Sequence, residues 1–469
     1  MSDDEPPSSP DPAAARATHR LGTRAVHAGQ EEPDPATGAR APPIHQTTSF
    51  VFPDAEEAAA RYALEREGDL YSRISNPTVR TLEKRLASLE GGAGAVATDS
   101  GMAALDSITL VLARAGDNVV CSTDTYGGTT TYLSTTAERR GIEARFVPTT
   151  DYDAYEEQVD ADTAYVHLET IGNPSLVTPD FERVAAIAHN HDVPLVVDNT
   201  FATPALCRPL EHGADVVWNS TTKWLHGSGT TVGGVVVDGG DFDWAAGGYD
   251  ELAGENPAYD DVDFSERFSE APLAAAVRLR ALRTLGNQQT PFDAWQTLQG
   301  VETLSLRMRQ HCENAEIVAD YLADHDAVAW VAYPGLESHE THDNAARYLG
   351  DGAGGDDAAG DDEDQATDAG SPAPTDVDGY GGMIAFGLEE GFEAGKRFCE
   401  EVELASFLAN VGDAKTLVIH PASTTHAQLT AEEQREAGVS PDLLRLSVGI
   451  EDPTDILADI DAGIEAATE

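Results

Sequence analysis

Lysine is almost missing from this chain. Among 469 residues it occurs only at Lys84, Lys223, Lys396 and Lys415, and all basic residues together number 29 against 83 acidic ones. The formal net charge of −54 excludes nucleic acid and anionic membranes as partners, because a polyanion would be repelled. Cysteine is scarce too. Cys121, Cys207, Cys312 and Cys399 lie far apart, with no CxxC and no metal-ligand spacing. They read as buried free thiols in a reducing, cytoplasmic compartment. No stretch reaches the roughly 18 consecutive apolar residues of a membrane span. The opening segment is acidic and proline-rich, without the apolar core of a secretion signal.

Apolar residues nevertheless make up 41% of the chain, enough for a large core divided over two or three domains. The acidity fits a strongly hydrated surface in a high-salt cytoplasm, where salt screens the self-repulsion. Disorder is the other consequence of such charge, but it is expected only locally. Residues 1–18 read as a disordered leader and 350–378 as a disordered acidic insertion, the latter almost without large apolar side chains. Between them, 19–78 forms an N-terminal segment with a helix near 55–66. A first large domain is expected over 79–285 and a C-terminal domain over 286–469.

In the first domain a helical pattern at 78–89 places Val79, Leu82, Leu86 and Leu89 on one face. Short apolar runs then recur at 95–98, 118–121, 164–168, 194–197, 215–218 and 234–237, with a helical stretch at 180–191. Runs apolar on both faces predict parallel strands covered by helices, an α/β layered domain. A long helix at 299–323, a strand at 443–448 and a closing helix at 454–467 are expected in a smaller α+β domain, with the run at 383–387 bounding the acidic insertion.

Four motifs carry chemistry. Ser220-Thr221-Thr222-Lys223 follows a buried strand; desolvation there lowers a lysine's proton affinity and makes its amine a nucleophile toward an aldehyde. Taken singly, it reads as a surface lysine at a strand end. Asp198 ends the run at 194–197, where ligands of such sheets bind, and a carboxylate there can hold a protonated pyridine nitrogen. Ser100-Gly101-Met102 joins a strand to a helix start, and small residues let backbone N–H groups meet a phosphate. Tyr126, in Tyr-Gly-Gly-Thr, can stack on an aromatic ring.

The order of these motifs resembles the Cys/Met-metabolism family of pyridoxal-phosphate (PLP) enzymes, from about residue 18 to 462, interrupted by the acidic insertion. The resemblance implies the type I fold of PLP-dependent transferases, a mostly parallel seven-stranded sheet with flanking helices and a smaller C-terminal domain. It implies PLP as cofactor, covalently held by Lys223, which also shuttles protons. Asp198 matches the ring-nitrogen partner, and Gly101, Met102, Ser220 and Thr222 match the phosphate cradle. Tyr126 matches the stacking tyrosine, which also assists leaving-group departure, and Asn173 the asparagine near the cofactor hydroxyl. Tyr71 and Arg73 match residues that reach the phosphate of a neighbouring subunit, implying shared sites in a homotetramer built from dimers. Arg445 matches the arginine that grips the substrate α-carboxylate, a task for a planar fork.

Within the family, the stretches at 289–304, 199–213 and 410–423 look most like O-acetylhomoserine sulfhydrylase, with O-acetylhomoserine and sulfide or methanethiol as substrates. Asn410 stands where cystathionine enzymes usually show serine. Lys415 stands where they usually show glutamate, and would repel the distal ammonium of cysteine or cystathionine. The run after Lys223, His226-Gly-Ser-Gly-Thr, departs from the Gly-Gly-His-Gly-Thr common in sulfhydrylases. Cystathionine γ-synthase or γ-lyase and methionine γ-lyase remain alternatives. A nucleotide-binding dehydrogenase is a remote one, since no GxGxxG opens a helix after a first strand.

Overall fold

The computed structural model describes residues 19–259, 261–349 and 377–468. The predicted leader, and the predicted insertion apart from Val377 and Asp378, lie outside the described residues. Seven strands, β1 (Gly94–Thr98), β2 (Asn118–Ser122), β3 (Glu143–Val147), β4 (Thr163–Glu169), β5 (Leu195–Asp198), β6 (Val216–Asn219) and β7 (Gly234–Asp238), form one sheet. Their order is β1-β7-β6-β5-β4-β2-β3. Pairing is parallel from β6 through β5, β4 and β2 to β3.

The sheet is buried on both faces, and the strand period of two explains how. Val196, Val216 and Val236 point into one core with Leu105 and Ile108 of the Gly101–Leu112 helix. Their neighbours Val197, Val217 and Val237 point into the other, with Leu82 and Leu86 of the Pro77–Glu90 helix and Phe181 and Val184 of the Phe181–His189 helix. This is why the runs read as continuously apolar.

A second sheet holds β8 (Val328–Ala332), β9 (Met383–Leu388), β10 (Ser406–Phe407), β11 (Leu417–Ile419) and β12 (Leu443–Ser447), in the order β10-β11-β12-β9-β8. Only β10 and β11 pair in parallel. Val318 and Leu322 of the Leu304–Ala323 helix, Phe398 of the Phe392–Glu401 helix and Ile456, Ile460 and Ile464 of the closing Pro453–Thr468 helix form its core.

Three expectations need correction. β7 runs antiparallel to both β1 and β6, because no crossover helix separates it from β6. The long helix expected at 299–323 is two helices, Pro291–Val301 and Leu304–Ala323. The break falls at Glu302 and Thr303, just after Gly300, which packs directly on the backbone of His226, where an added Cβ would sit 2.1 Å from the carbonyl oxygen. The helix near 55–66 stops at Tyr62, and Leu64 takes φ +61°. Strands β3, β8, β9, β10 and β11 went unpredicted: β3 is a sheet-edge strand whose side chains before Val147 are exposed or half-buried, and β10 and β11 are very short.

Candidate active site

The carboxyl ends of β4, β5 and β6, the start of the Gly101–Leu112 helix and the loop at 409–411 enclose a cavity of about 270 Å3. Such strand ends are where open α/β sheets bind ligands. Gly101, Met102, Tyr126, Asn173, Asp198, Ser220, Thr222, Lys223, Asn410 and Arg445 all line it. Tyr71 and Arg73 do not: they stack on each other, guanidinium to ring centroid 5.5 Å, away from this chain's cavity.

Each group is held for a local reason. Ser100 caps the helix by accepting the Ala103 N–H at 3.2 Å, which leaves the Gly101 and Met102 amides without a partner among the described residues. Gly101 must be glycine, since a Cβ would lie 2.8 Å from the Cβ of Ser220. The Thr222 hydroxyl is pinned to the Gly233 backbone, with which it exchanges hydrogen bonds of 3.1 and 3.2 Å. These free amides, the helix dipole and the Ser220 hydroxyl make a cradle for a small anion such as a phosphate.

Asp198 is 6% exposed. Its Oδ1 accepts the backbone N–H of Thr200 at 2.9 Å and the Thr200 hydroxyl, while that hydroxyl accepts the Ser220 N–H at 2.8 Å. The second carboxylate oxygen of this cavity-lining residue accepts no hydrogen bond among the described residues. Burial pushes the Asp198 carboxyl up to about 7, against the pull of Thr200 and of Lys223. A carboxyl poised this way favours a cationic N–H beside it.

The Lys223 ammonium donates to Asn410 Oδ1 at 2.5 Å. Burial, then the charge of Arg445, push the lysine down to about 8, with Asp198 opposing. A substantial fraction is therefore neutral amine near physiological pH, as attack on an aldehyde requires. Arg445, on β12, donates from Nη1 to Asn173 Oδ1 at 3.0 Å, joining the second sheet to the loop after β4. Gly412, at φ +76°, lies against the Lys223–Trp224 backbone; a Cβ there would meet the Trp224 nitrogen at 2.6 Å.

The expected influence of Lys415 fails. Its side chain is 71% exposed, with the ammonium 3.8 Å from Asp413, and it does not line the cavity. Asp413 accepts the Lys415 backbone N–H at 3.1 Å, and this turn directs the side chain outward. Conversely, Glu169, Ile171, Thr200, Phe201, Trp218 and Val411 line the cavity without having been assigned. Glu169 ends β4 and Thr200 falls in the stretch at 199–213, but their roles come from strand register, which a single sequence does not carry.

The family model for "Cys/Met metabolism PLP-dependent enzyme" matches residues 22–355 and 371–465. Homocysteine synthase of Schizosaccharomyces pombe is 46% identical, over 95% of this chain and 98% of that protein. O-acetyl-L-homoserine sulfhydrylase 1 of Thermus thermophilus is 44% identical, over 94% of this chain and 99% of its own length. Among solved structures, an O-acetylhomoserine (thiol)-lyase of Campylobacter jejuni that carries a pyridoxyl-lysine phosphate superposes with a TM-score of 0.85 at 35% identity, covering 95% of this chain and 100% of that one. With a cavity whose lysine, aspartate and anion cradle fit pyridoxal phosphate, the chain belongs to the Cys/Met-metabolism family of PLP-dependent enzymes.

Proposed function

We propose that the chain carries out γ-replacement on O-acetyl-L-homoserine, giving homocysteine and acetate with sulfide, or methionine and acetate with methanethiol. The observation that carries this reading is one cavity holding Lys223, Asp198 and Arg445 together, in a chain 46% and 44% identical to proteins named for this chemistry.

Bound PLP supplies an aldehyde that bonds amines and a ring that delocalises the electron pair left when a proton departs. Lys223 would hold the cofactor through Nζ, and Asp198 would meet the ring nitrogen with the oxygen that Thr200 leaves unengaged. The Gly101 and Met102 amides with the Ser220 hydroxyl would hold the phosphate, which Thr222 would join by turning its hydroxyl proton from the Gly233 carbonyl, and Tyr126 would cover the ring. Asn173 serves the cofactor hydroxyl side and steadies Arg445, whose planar fork grips the substrate carboxylate. With its amine free, Lys223 would take the proton from Cα at Nζ and return protons later, while Asn410 would keep that nitrogen in place. Fixing both ends of the substrate aligns the breaking bond and removes much of the entropic barrier.

Asn410 remains the residue that favours a small thiol over cystathionine chemistry; Lys415 no longer contributes. The test is a product assay: O-acetylhomoserine with sulfide, cysteine with the same ester, and methionine alone. Homocysteine formed only with sulfide is expected. Cystathionine from cysteine, or 2-oxobutyrate from methionine, would overturn the assignment.

Further features fit this reading. The N-terminal segment 19–78 is taken as an arm to the neighbouring site, 79–285 as the cofactor domain and 286–469 as the C-terminal domain. Tyr71 and Arg73 would complete a partner's phosphate site, in a homotetramer built from dimers. Mixing Lys223→Ala with Arg73→Ala subunits should then restore activity that neither shows alone. The net charge of −54 fits a cytoplasm rich in salt, so the protein should unfold on desalting; full stability in dilute buffer counts against it.

A further inference from the structure

Glu169 ends β4 as Asp198 ends β5, and the two are register partners on adjacent parallel strands. Neighbouring strands run about 4.8 Å apart, so the two carboxyls stand side by side. Both are buried, 5% and 6% exposed, and both line the cavity. Each has one oxygen occupied. Glu169 Oε1 accepts the Thr125 hydroxyl at 2.7 Å and the Tyr126 backbone N–H at 2.6 Å; Asp198 Oδ1 accepts both donors of Thr200. The second oxygen of each accepts no hydrogen bond among the described residues and opens on the cavity.

Two adjacent carboxylates in a buried site repel, and one holds a proton unless a cation sits beside them. The charged and titratable neighbours do not resolve this. Asp124 adds repulsion to Glu169, Lys223 attracts Asp198, and Arg445 acts on Lys223. The pair is therefore built to receive one further positive charge. Tyr126, the ring-covering residue, hangs from the same Glu169 carboxylate.

We propose that Glu169 is a second cofactor-side carboxylate, which acts with Asp198 to keep the proton on the ring nitrogen of PLP while its other oxygen fixes the Tyr126 backbone. This rests on reading Asp198 as the ring-nitrogen partner and deepens it. Glu169→Gln isolates the charge, since the amide oxygen can still accept from Thr125 and Tyr126.

The experiment is nitrogen-15 NMR of the holoenzyme loaded with ring-labelled PLP, titrated with pH, beside cofactor stoichiometry and kcat. In Glu169→Gln the ring nitrogen should lose its proton about one pH unit lower than in the wild type, a roughly tenfold weaker hold, with cofactor retained. The kcat should fall about tenfold with KM little changed. Coinciding titrations of wild type and Glu169→Gln overturn the proposal. Asp198→Asn separates the two ideas: if it too leaves the titration unmoved, the Asp198 reading fails; if it alone moves the titration, only the role of Glu169 fails. Should Glu169→Gln not retain cofactor, Glu169→Asp keeps the charge on a shorter arm. Its ring nitrogen should titrate near the wild-type pH, and a drop as large as a full unit would overturn the proposal.

Discussion

The floor and the wall of the cavity are made differently. The floor comes from the seven-stranded sheet: Glu169, Asp198 and Ser220 at or just beyond the ends of three adjacent strands, with the Gly101 helix start beside them. The wall comes from the far part of the chain: Asn410 on a loop and Arg445 on β12 of the second sheet. The floor gathers carboxyls, amides and hydroxyls suited to a flat anionic ring system. The wall offers one amide and one guanidinium suited to a small amino acid. On the proposed reading, binding a resident group and selecting a passing one fall to separate layers, and Lys223, held by Asn410, stands where they meet.

The sharpest way to break this division is at the meeting point. Lys223→Ala should reduce kcat by about 10^4-fold, as loss of a proton-transferring nucleophile does, and the variant should lose its cofactor on gel filtration. Homocysteine formation with O-acetylhomoserine and sulfide, beside the visible absorbance of the eluted protein, measures both. On the wall, Arg445→Lys should raise KM for O-acetylhomoserine roughly 10- to 100-fold, the worth of a charge-assisted bidentate grip, with cofactor content unchanged. A parallel loss of cofactor would show that the wall also holds the floor's ligand.

A gentler probe uses pH. Only the neutral amine attacks an aldehyde, and Lys223 is pushed down to about 8 by burial and Arg445. The rate at which apoprotein takes up PLP should therefore rise about tenfold per pH unit below that value and level off above it. Stopped-flow absorbance would follow this, and a rate still climbing toward pH 10 would mean that the amine sits in water. The smallest effect belongs to Lys415→Ala. With the side chain 71% exposed, kcat/KM with sulfide should change less than twofold.

Floor and wall also differ in how far the chain discloses them. Asp198, Ser220, Lys223 and the Gly101 turn each follow an apolar run, so strand-end chemistry is readable from local pattern. Glu169 lies in the same kind of position yet stayed mute, because its meaning depends on standing beside Asp198 in the sheet. The direction of β7 was equally silent, since an apolar run reads the same in either orientation. Arg445 was named from resemblance alone; nothing near it in the chain shows that it meets Asn173. Lys415 was misplaced because a turn at Asp413 decides where its side chain points.

Gly412 gives the junction a further property. Backbone rests on backbone there, with no room for even a methyl group beside Trp224. The approach of the two backbone segments that carry the amine and its amide acceptor is thus gauged by main-chain atoms, which every amino-acid replacement elsewhere leaves chemically unaltered. Accumulating acidic residues over the exterior, however many, need not detune the gauge. The working parts thus stay in adjustment whatever charge the exterior carries.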